Sequence, residues 1–146
     1  MRRVLFAVVV FAAGVTAGAA QNVSVIKERK DHLKQMGDAV KPVAAMFKGE
    51  ADFELGKVQS ALKIMQEKAE ILPGLFPEDS KTGGDTEALP VIWEEKADVE
   101  ARFKKLGESA KAAEAAITDE DTFLGTWKGV AGNCSGCHKK FRKPKS

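Results

Sequence analysis

Near the C-terminus, the run Cys134-Ser135-Gly136-Cys137-His138 gathers both cysteines and one of the two histidines in the chain. Cys-x-x-Cys-His is the attachment signature of a c-type haem. On one helical turn, two thiols can each add to a haem vinyl group while the next residue places an imidazole under the iron. Cys134 and Cys137 are therefore expected as thioether anchors and His138 as the proximal ligand.

Other uses of the same residues compete with this one. A redox dithiol ordinarily follows a strand in a thioredoxin-like βαβ unit, and no strand pattern precedes Cys134. A zinc site usually takes four ligands in paired spacing. Here it would have to recruit the remote His32, with no second Cys or His pair. A disulfide between Cys134 and Cys137 would close only a tiny loop. Motif and surroundings together favour haem.

The chain has 146 residues, 44% of them hydrophobic and 30% charged, which fits one soluble domain with one core. Its first twenty residues differ from the rest. Arg2 and Arg3 precede an apolar run from Val4 to Val15, and small residues from Ala17 to Ala20 lead into Gln21. This reads as a secretory signal peptide over 1–20, cleaved after Ala19 or Ala20, with 21–146 as the mature domain; an uncleaved membrane anchor is the rival reading. Export fits the motif, because c-type haem is attached outside the bacterial cytoplasm, so a periplasmic location is expected. Lys and Arg number 23 against 21 acids, and the leader holds two of the arginines and no acid, so the mature domain is formally neutral. That balance gives no argument for nucleic acid, and no membrane contact is expected after cleavage. Lys139, Lys140, Arg142, Lys143 and Lys145 crowd the tail. The last of these read as a solvated terminus, with a haem-related role for Arg142.

Four amphipathic segments account for most of the chain. From Val23 to Phe47, Ile26, Leu33, Met36, Val40, Val43 and Phe47 mark one helical face, with Pro42 predicting a kink near Asp38. Asp52 is placed to cap a second helix through Leu55, Val58, Leu62, Met65, Ala69 and Leu72. Residues 73–89, rich in Pro and Gly, read as the one long loop. Pro90 suits the first turn of a third helix, whose stripe is Ile92, Val99, Phe103, Leu106, Ala110, Ala113 and Ile117. Thr118 is expected to cap the fourth, with Phe123, Leu124, Trp127, Val130, Ala131, Cys134, His138 and Phe141 on its buried face. The pattern predicts an all-α, antiparallel up-down-up-down four-helix bundle with shallow crossings.

Arg29 interrupts the first apolar stripe. Buried, it would need an anionic partner, which a haem propionate could supply to its fork; near the helix end, it could equally snorkel to solvent. Leu33 lies one turn further on the same face and is expected toward the haem surface opposite His138. His32 is rotated about 100° from Leu33 and reads as a surface residue, while Met36, Met46 and Met65 read as packing.

These features resemble the class II cytochromes c, and within them the cytochrome c-prime family. The resemblance is carried by Ile26-Lys27-Glu28-Arg29 with Leu33, Phe47-Lys48-Gly49, Leu72-Pro73, Gly83-Gly84-Asp85-Thr86, Pro90-Val91-Ile92-Trp93 and the segment from Cys134 to Arg142. It implies a periplasmic four-helix bundle, a homodimer through the first two helices, and one pentacoordinate high-spin haem c per chain. Cys134 and Cys137 match the anchors, His138 the proximal ligand and Arg142 the basic residue beside it. Arg29 matches the propionate-contacting arginine, Leu33 the distal apolar residue, and Asp85 and Thr86 the loop residues against the haem edge. Low-spin relatives place a Met ligand where this chain has Leu33; a shift of one turn would bring Met36 into that role.

Three functions are weighed on this basis: binding of NO or CO at an apolar distal face, electron transfer with a periplasmic redox partner docked near the basic tail, and peroxidase chemistry. The last would need polar distal groups, and the expected pocket offers none, so a non-enzymatic haem protein is expected.

Overall fold

The computed structural model of the chain describes residues 22–144, so the expected signal peptide lies outside the described residues. Asn22 opens the first helix by accepting from the Val25 amide at 3.2 Å. Helix α1 (Val23–Phe47) then buries Ile26, Arg29, Met36, Val43 and Met46 and runs through Pro42 as a single helix. Gly49, at φ 73°, ends it in a conformation that glycine adopts without penalty.

Helix α2 spans Leu55–Ile71, two residues later than a cap at Asp52 suggested. Phe53 leaves the helical path to set its ring 5.4 Å from that of Phe123, and Glu54 takes the cap position in an extended conformation. The third helix is broken. Glu95, at φ −117° and ψ 41°, separates the single turn α3 (Val91–Glu94) from α4 (Lys96–Ala116). The break lets Trp93 turn inward, where its Nε1 donates to the Pro77 carbonyl at 3.0 Å. Helix α5 (Glu120–Phe141) is capped by Asp119 rather than Thr118. The Asp119 carboxylate accepts from the Thr122 amide at 2.8 Å while the Thr122 hydroxyl accepts from the Asp119 amide at 3.1 Å.

The ends of the helices fix their directions. Phe47 closing α1 meets Phe123 opening α5, with centroids 6.0 Å apart. Gln59 near the start of α2 donates to the carbonyls of Glu114 and Ile117 at the end of α4, at 3.0 and 2.9 Å. Lys140 at the end of α5 reaches Asp98 at the start of α4, at 3.0 Å. The long helices therefore run up-down-up-down, α2 packing on α1 and α4, and α4 on α5; α1 and α5 meet least of these neighbours. Val58, Leu62, Met65, Ala110, Phe123 and Trp127 form the fully or nearly fully buried centre. Burial of each large side chain contributes about 1.5–3 kcal/mol.

The connection from 72 to 90 is not the structureless loop that its Pro and Gly content predicted. It holds two 3₁₀ turns, Leu72–Leu75 and Glu78–Ser80. Gly84, at φ 51°, lets the backbone pass close over α1, where a Cβ would lie 3.5 Å from Ile26 Cγ2. Its last residues form an antiparallel bridge, Ala88 with Arg142. The amide of Leu89 donates to the Phe141 carbonyl at 3.0 Å, and that of Lys143 to Glu87 at 2.8 Å.

Candidate haem site

The N-terminal half of α1, the end of α2, the 72–90 connection, the start of α4 and the end of α5 all gather at one end of the bundle. The buried face of α5 steps by threes and fours through Phe123, Trp127 and Val130 to Phe141. Cys134 and Cys137 fall on this same face as free, partly buried thiols. Burial pushes both thiols up from their ordinary value, and Arg102 offsets only part of the effect at Cys137. A redox dithiol is activated by a lowered pKa, so this environment does not suit one.

His138 departs from its expected place. The buried stripe passes through Cys137, and His138, turned about 100° further round the helix, is exposed. Lys140, two residues on, reaches α4.

Arg29 decides between its two readings. It is 2% exposed, so it does not snorkel. Its Nη1 donates to the Leu75 carbonyl at 2.9 Å and to Ser80 Oγ at 3.0 Å. Its Nη2 donates to the Ser80 carbonyl at 3.3 Å and to Thr86 Oγ1 at 3.0 Å. The guanidinium also lies 4.6 Å from the Phe76 ring centroid and 5.7 Å from that of Trp93. The terminal N–H groups that were expected to fork a carboxylate are thus committed to neutral oxygens. No acidic side chain pairs with Arg29 among the described residues, and burial pulls its pKa below the ordinary arginine value. A buried cation balanced by no carboxylate suits an anionic group nearby.

Leu33 is partly buried and packs on the core. Phe47 lies eighteen residues after Arg29, about five turns, and so shares its face; that face meets α5 at Phe123. Leu33 is within about 40° of it. His32 is turned the other way and is no surface residue: its side chain is 19% exposed, and its Nδ1 is buried without a hydrogen-bond partner. Met36 is buried at 9% exposure, and Met46 and Met65 are core residues as expected.

Among the loop residues, Thr86 joins Arg29, whereas Asp85 is exposed and pairs with Lys30 at 3.4 Å. Arg142 ends α5, its amide donating to the His138 carbonyl at 3.2 Å and its Nε lying 3.9 Å from a Glu87 carboxylate oxygen. The basic tail is largely engaged within the chain: Lys140 pairs with Glu95 and Asp98, and Lys143 Nζ donates to the Thr86 carbonyl at 2.8 Å. Sequence reasoning missed Ser80, which is fully buried beneath Arg29; a serine among loop residues carries no signal of burial. It also missed Arg102 and Asp98, whose i, i+4 spacing was a visible cue.

Two inward thiols one turn apart, a following imidazole and a buried cation without a carboxylate fit a covalently bound, dianionic porphyrin. The sequence profile of the Cytochrome C' family matches residues 24–142. The chain belongs to the cytochrome c' family. Cytochrome c' of Rhodopseudomonas palustris is 51% identical over 128 residues, covering 88% of each chain. Cytochrome c-556 of Agrobacterium fabrum is 33% identical over 130 residues, again covering 88% of each. The solved structure of Rhodopseudomonas palustris cytochrome c' superposes with a TM-score of 0.81 at 52% identity, over 84% of this chain and 98% of that one. Haem c is the covalent cofactor of cytochrome c' proteins, and Cys134 and Cys137 supply the two thiols of its motif. No described helix is long and apolar enough to cross a membrane.

Proposed function

We propose that this member of the cytochrome c' family is a periplasmic haem protein whose iron carries one protein ligand, His138, and takes up NO or CO on an apolar distal face formed by Leu33. The observation that carries this reading is the side chain at position 33. Leu33, partly buried against the core, cannot ligate iron, and it stands where a ligand would be needed for a six-coordinate haem in this reading. In this reading Cys134 and Cys137 fix the ring, His138 holds the iron from the α5 side, and Arg29 holds positive charge near the propionates. Arg142 flanks His138, and Asp85 and Thr86 border the haem edge. Leu33 excludes water and bulky ligands, and supplies no hydrogen-bond donor with which to polarise a peroxide. Haem c supplies reversible gas binding and one-electron exchange when bound.

Electron exchange with a periplasmic partner belongs to the same reading, with exposed Lys139 beside the motif. A low-spin carrier with Met36 as second axial ligand is the alternative, favoured by the burial of Met36 on the inner face of α1 one turn from Leu33. Absorption spectra of the oxidised and reduced protein, with and without NO and CO, separate the two. High-spin bands that shift with each gas are expected. Low-spin spectra with a methionine-to-iron band would overturn the vacant sixth position in favour of Met36.

We further propose a homodimer through α1 and α2. A groove of about 530 Å³ there is lined by Ala39 and Pro42 of α1 and by Gly56, Ser60, Ala61 and Ile64 of α2, together with Glu54 and Lys57, and its small members allow close helix approach. Sedimentation of the holoprotein at micromolar concentration tests it; a monomer there would overturn it.

A further inference from the structure

At the haem end of the bundle, a chain of hydrogen bonds through residues 80–89 links α1 to α5. Arg29 on α1, one turn from Leu33, donates to Thr86 Oγ1 at 3.0 Å. The same hydroxyl accepts from the Ala88 amide at 3.2 Å, which holds it at the start of the short ladder with α5. Along that ladder Leu89 bonds Phe141 at 3.0 Å and Lys143 bonds Glu87 at 2.8 Å, backbone to backbone. The Lys143 ammonium closes the ladder on the Thr86 carbonyl at 2.8 Å. Phe141 follows His138 by three residues, and the His138 carbonyl accepts from Arg142 at 3.2 Å. One continuous path therefore runs from the turn bearing Leu33 to the turn bearing His138, and on it the Thr86 hydroxyl accepts both from Arg29 and from the Ala88 amide at the start of the ladder.

We propose that Thr86 is a positioning residue: by clasping Arg29 to the end of α5 it sets the separation of α1 and α5 across the haem, and so how closely Leu33 covers the iron. This assignment extends the gas-binding reading above and rests on it for its functional consequence. Ser80 supports the clasp from below, accepting from Arg29 while its hydroxyl donates to the Pro77 carbonyl at 2.8 Å. Leucine in a well-held α1 blocks the sixth position most of the time. With the clasp cut, α1 swings outward more often and a diatomic ligand enters faster.

The holoprotein carrying Thr86→Val, which keeps the shape and removes the acceptor, tests this. Losing one hydrogen bond of about 1 kcal/mol corresponds to an association rate for CO that is higher by roughly fivefold. Thr86→Ser is expected to restore the wild-type rate, which a purely steric role would not predict. Nitroxide labels at exposed Gln35 on α1 and Lys128 on α5 report the helix separation directly, and their distance distribution is expected to broaden in Thr86→Val and recover in Thr86→Ser. An unchanged distribution overturns the proposal whatever the gas kinetics. Should the wild-type haem prove six-coordinate, the gas-binding reading falls while the distance measurement still decides the clasp. Should Thr86→Val fail to accumulate, Lys143→Pro weakens the other half of the path, removing the amide and ammonium bonds of Lys143 while leaving the Leu89–Phe141 bond, at a position whose extended predecessor tolerates proline. The same broadening is expected there, and its absence overturns the proposal equally.

Discussion

Arg29 and Thr86, 57 residues apart in sequence, are joined by a 3.0 Å hydrogen bond from a guanidinium that is almost wholly buried. Around that bond the connection between the second and third helices folds down over α1. Replacing Arg29 would strand the carbonyls of Leu75 and Ser80 and leave a void under Phe76. Arg29→Leu is expected to lower unfolding stability by about 3 kcal/mol, read as a reduced urea midpoint. Arg29→Lys, with three donors in place of a planar fork, should recover only part of that loss. A midpoint equal to wild type in Arg29→Leu would contradict the structural importance given to the bond.

Leu33→Met places a thioether on the partly buried face of α1. The expected result is conversion of a high-spin spectrum to a low-spin one with a methionine-to-iron band, together with loss of CO binding. Spectra indistinguishable from wild type would place Leu33 away from the iron.

Asp98 ties α5 to α4 near the motif. Its carboxyl is held below the ordinary 3.8, first by the bond from Lys140 and then by that from Arg102. A carboxyl depressed in the folded state contributes stability that is present above its unfolded pKa and lost as pH falls through the folded value. Thermal midpoints should therefore decline as pH falls below the ordinary 3.8, and Asp98→Asn should flatten that part of the profile while lowering the midpoint at neutral pH. An identical acid decline in the variant would assign the effect to other carboxylates.

The Asp119 and Thr122 capping box holds the first turn of α5, far from the motif at its other end. Asp119→Ala is expected to cost about 1 kcal/mol of stability with no change in the haem spectrum. Differential scanning calorimetry and absorption together check both halves of that statement.

At the α1–α2 groove, Ala39→Glu puts a charge where two copies would meet, and sedimentation should shift from dimer to monomer at micromolar concentration. Persistence of the dimer would move the interface elsewhere.

Local signals carried a good part of the architecture. Apolar spacing at threes and fours marked all four long helices because a helical face must bury a stripe to be stable, and Phe47, Val58, Leu106 and Trp127 fell where the period placed them. Helix starts were less legible. Asp52 and Thr118 are good capping residues by type, yet Phe53 and Thr122 found better partners at Phe123 and Asp119, and competition between adjacent candidates is settled by packing. Glu95 carries no breaking residue; the kink exists because Trp93 and Phe103 must both face Phe76, with centroids 6.0 and 6.2 Å away.

The sequence by itself determined the chemistry of the Cys134, Cys137 and His138 turn, since that chemistry depends on residue types at fixed spacing along one helix, and it determined that four apolar stripes would close into a bundle. Tertiary structure alone decided what surrounds that turn. It turned His138 to the exposed flank of α5 and drew Ser80 into the interior. It also gave the terminal N–H groups of Arg29 to loop oxygens rather than to a fork, and bound Thr86 to both halves of the haem end. The reason is the range of the forces: a helical period is local and repeats, whereas a buried guanidinium takes whatever acceptors the fold brings within 3 Å, and those come from residues tens of positions away.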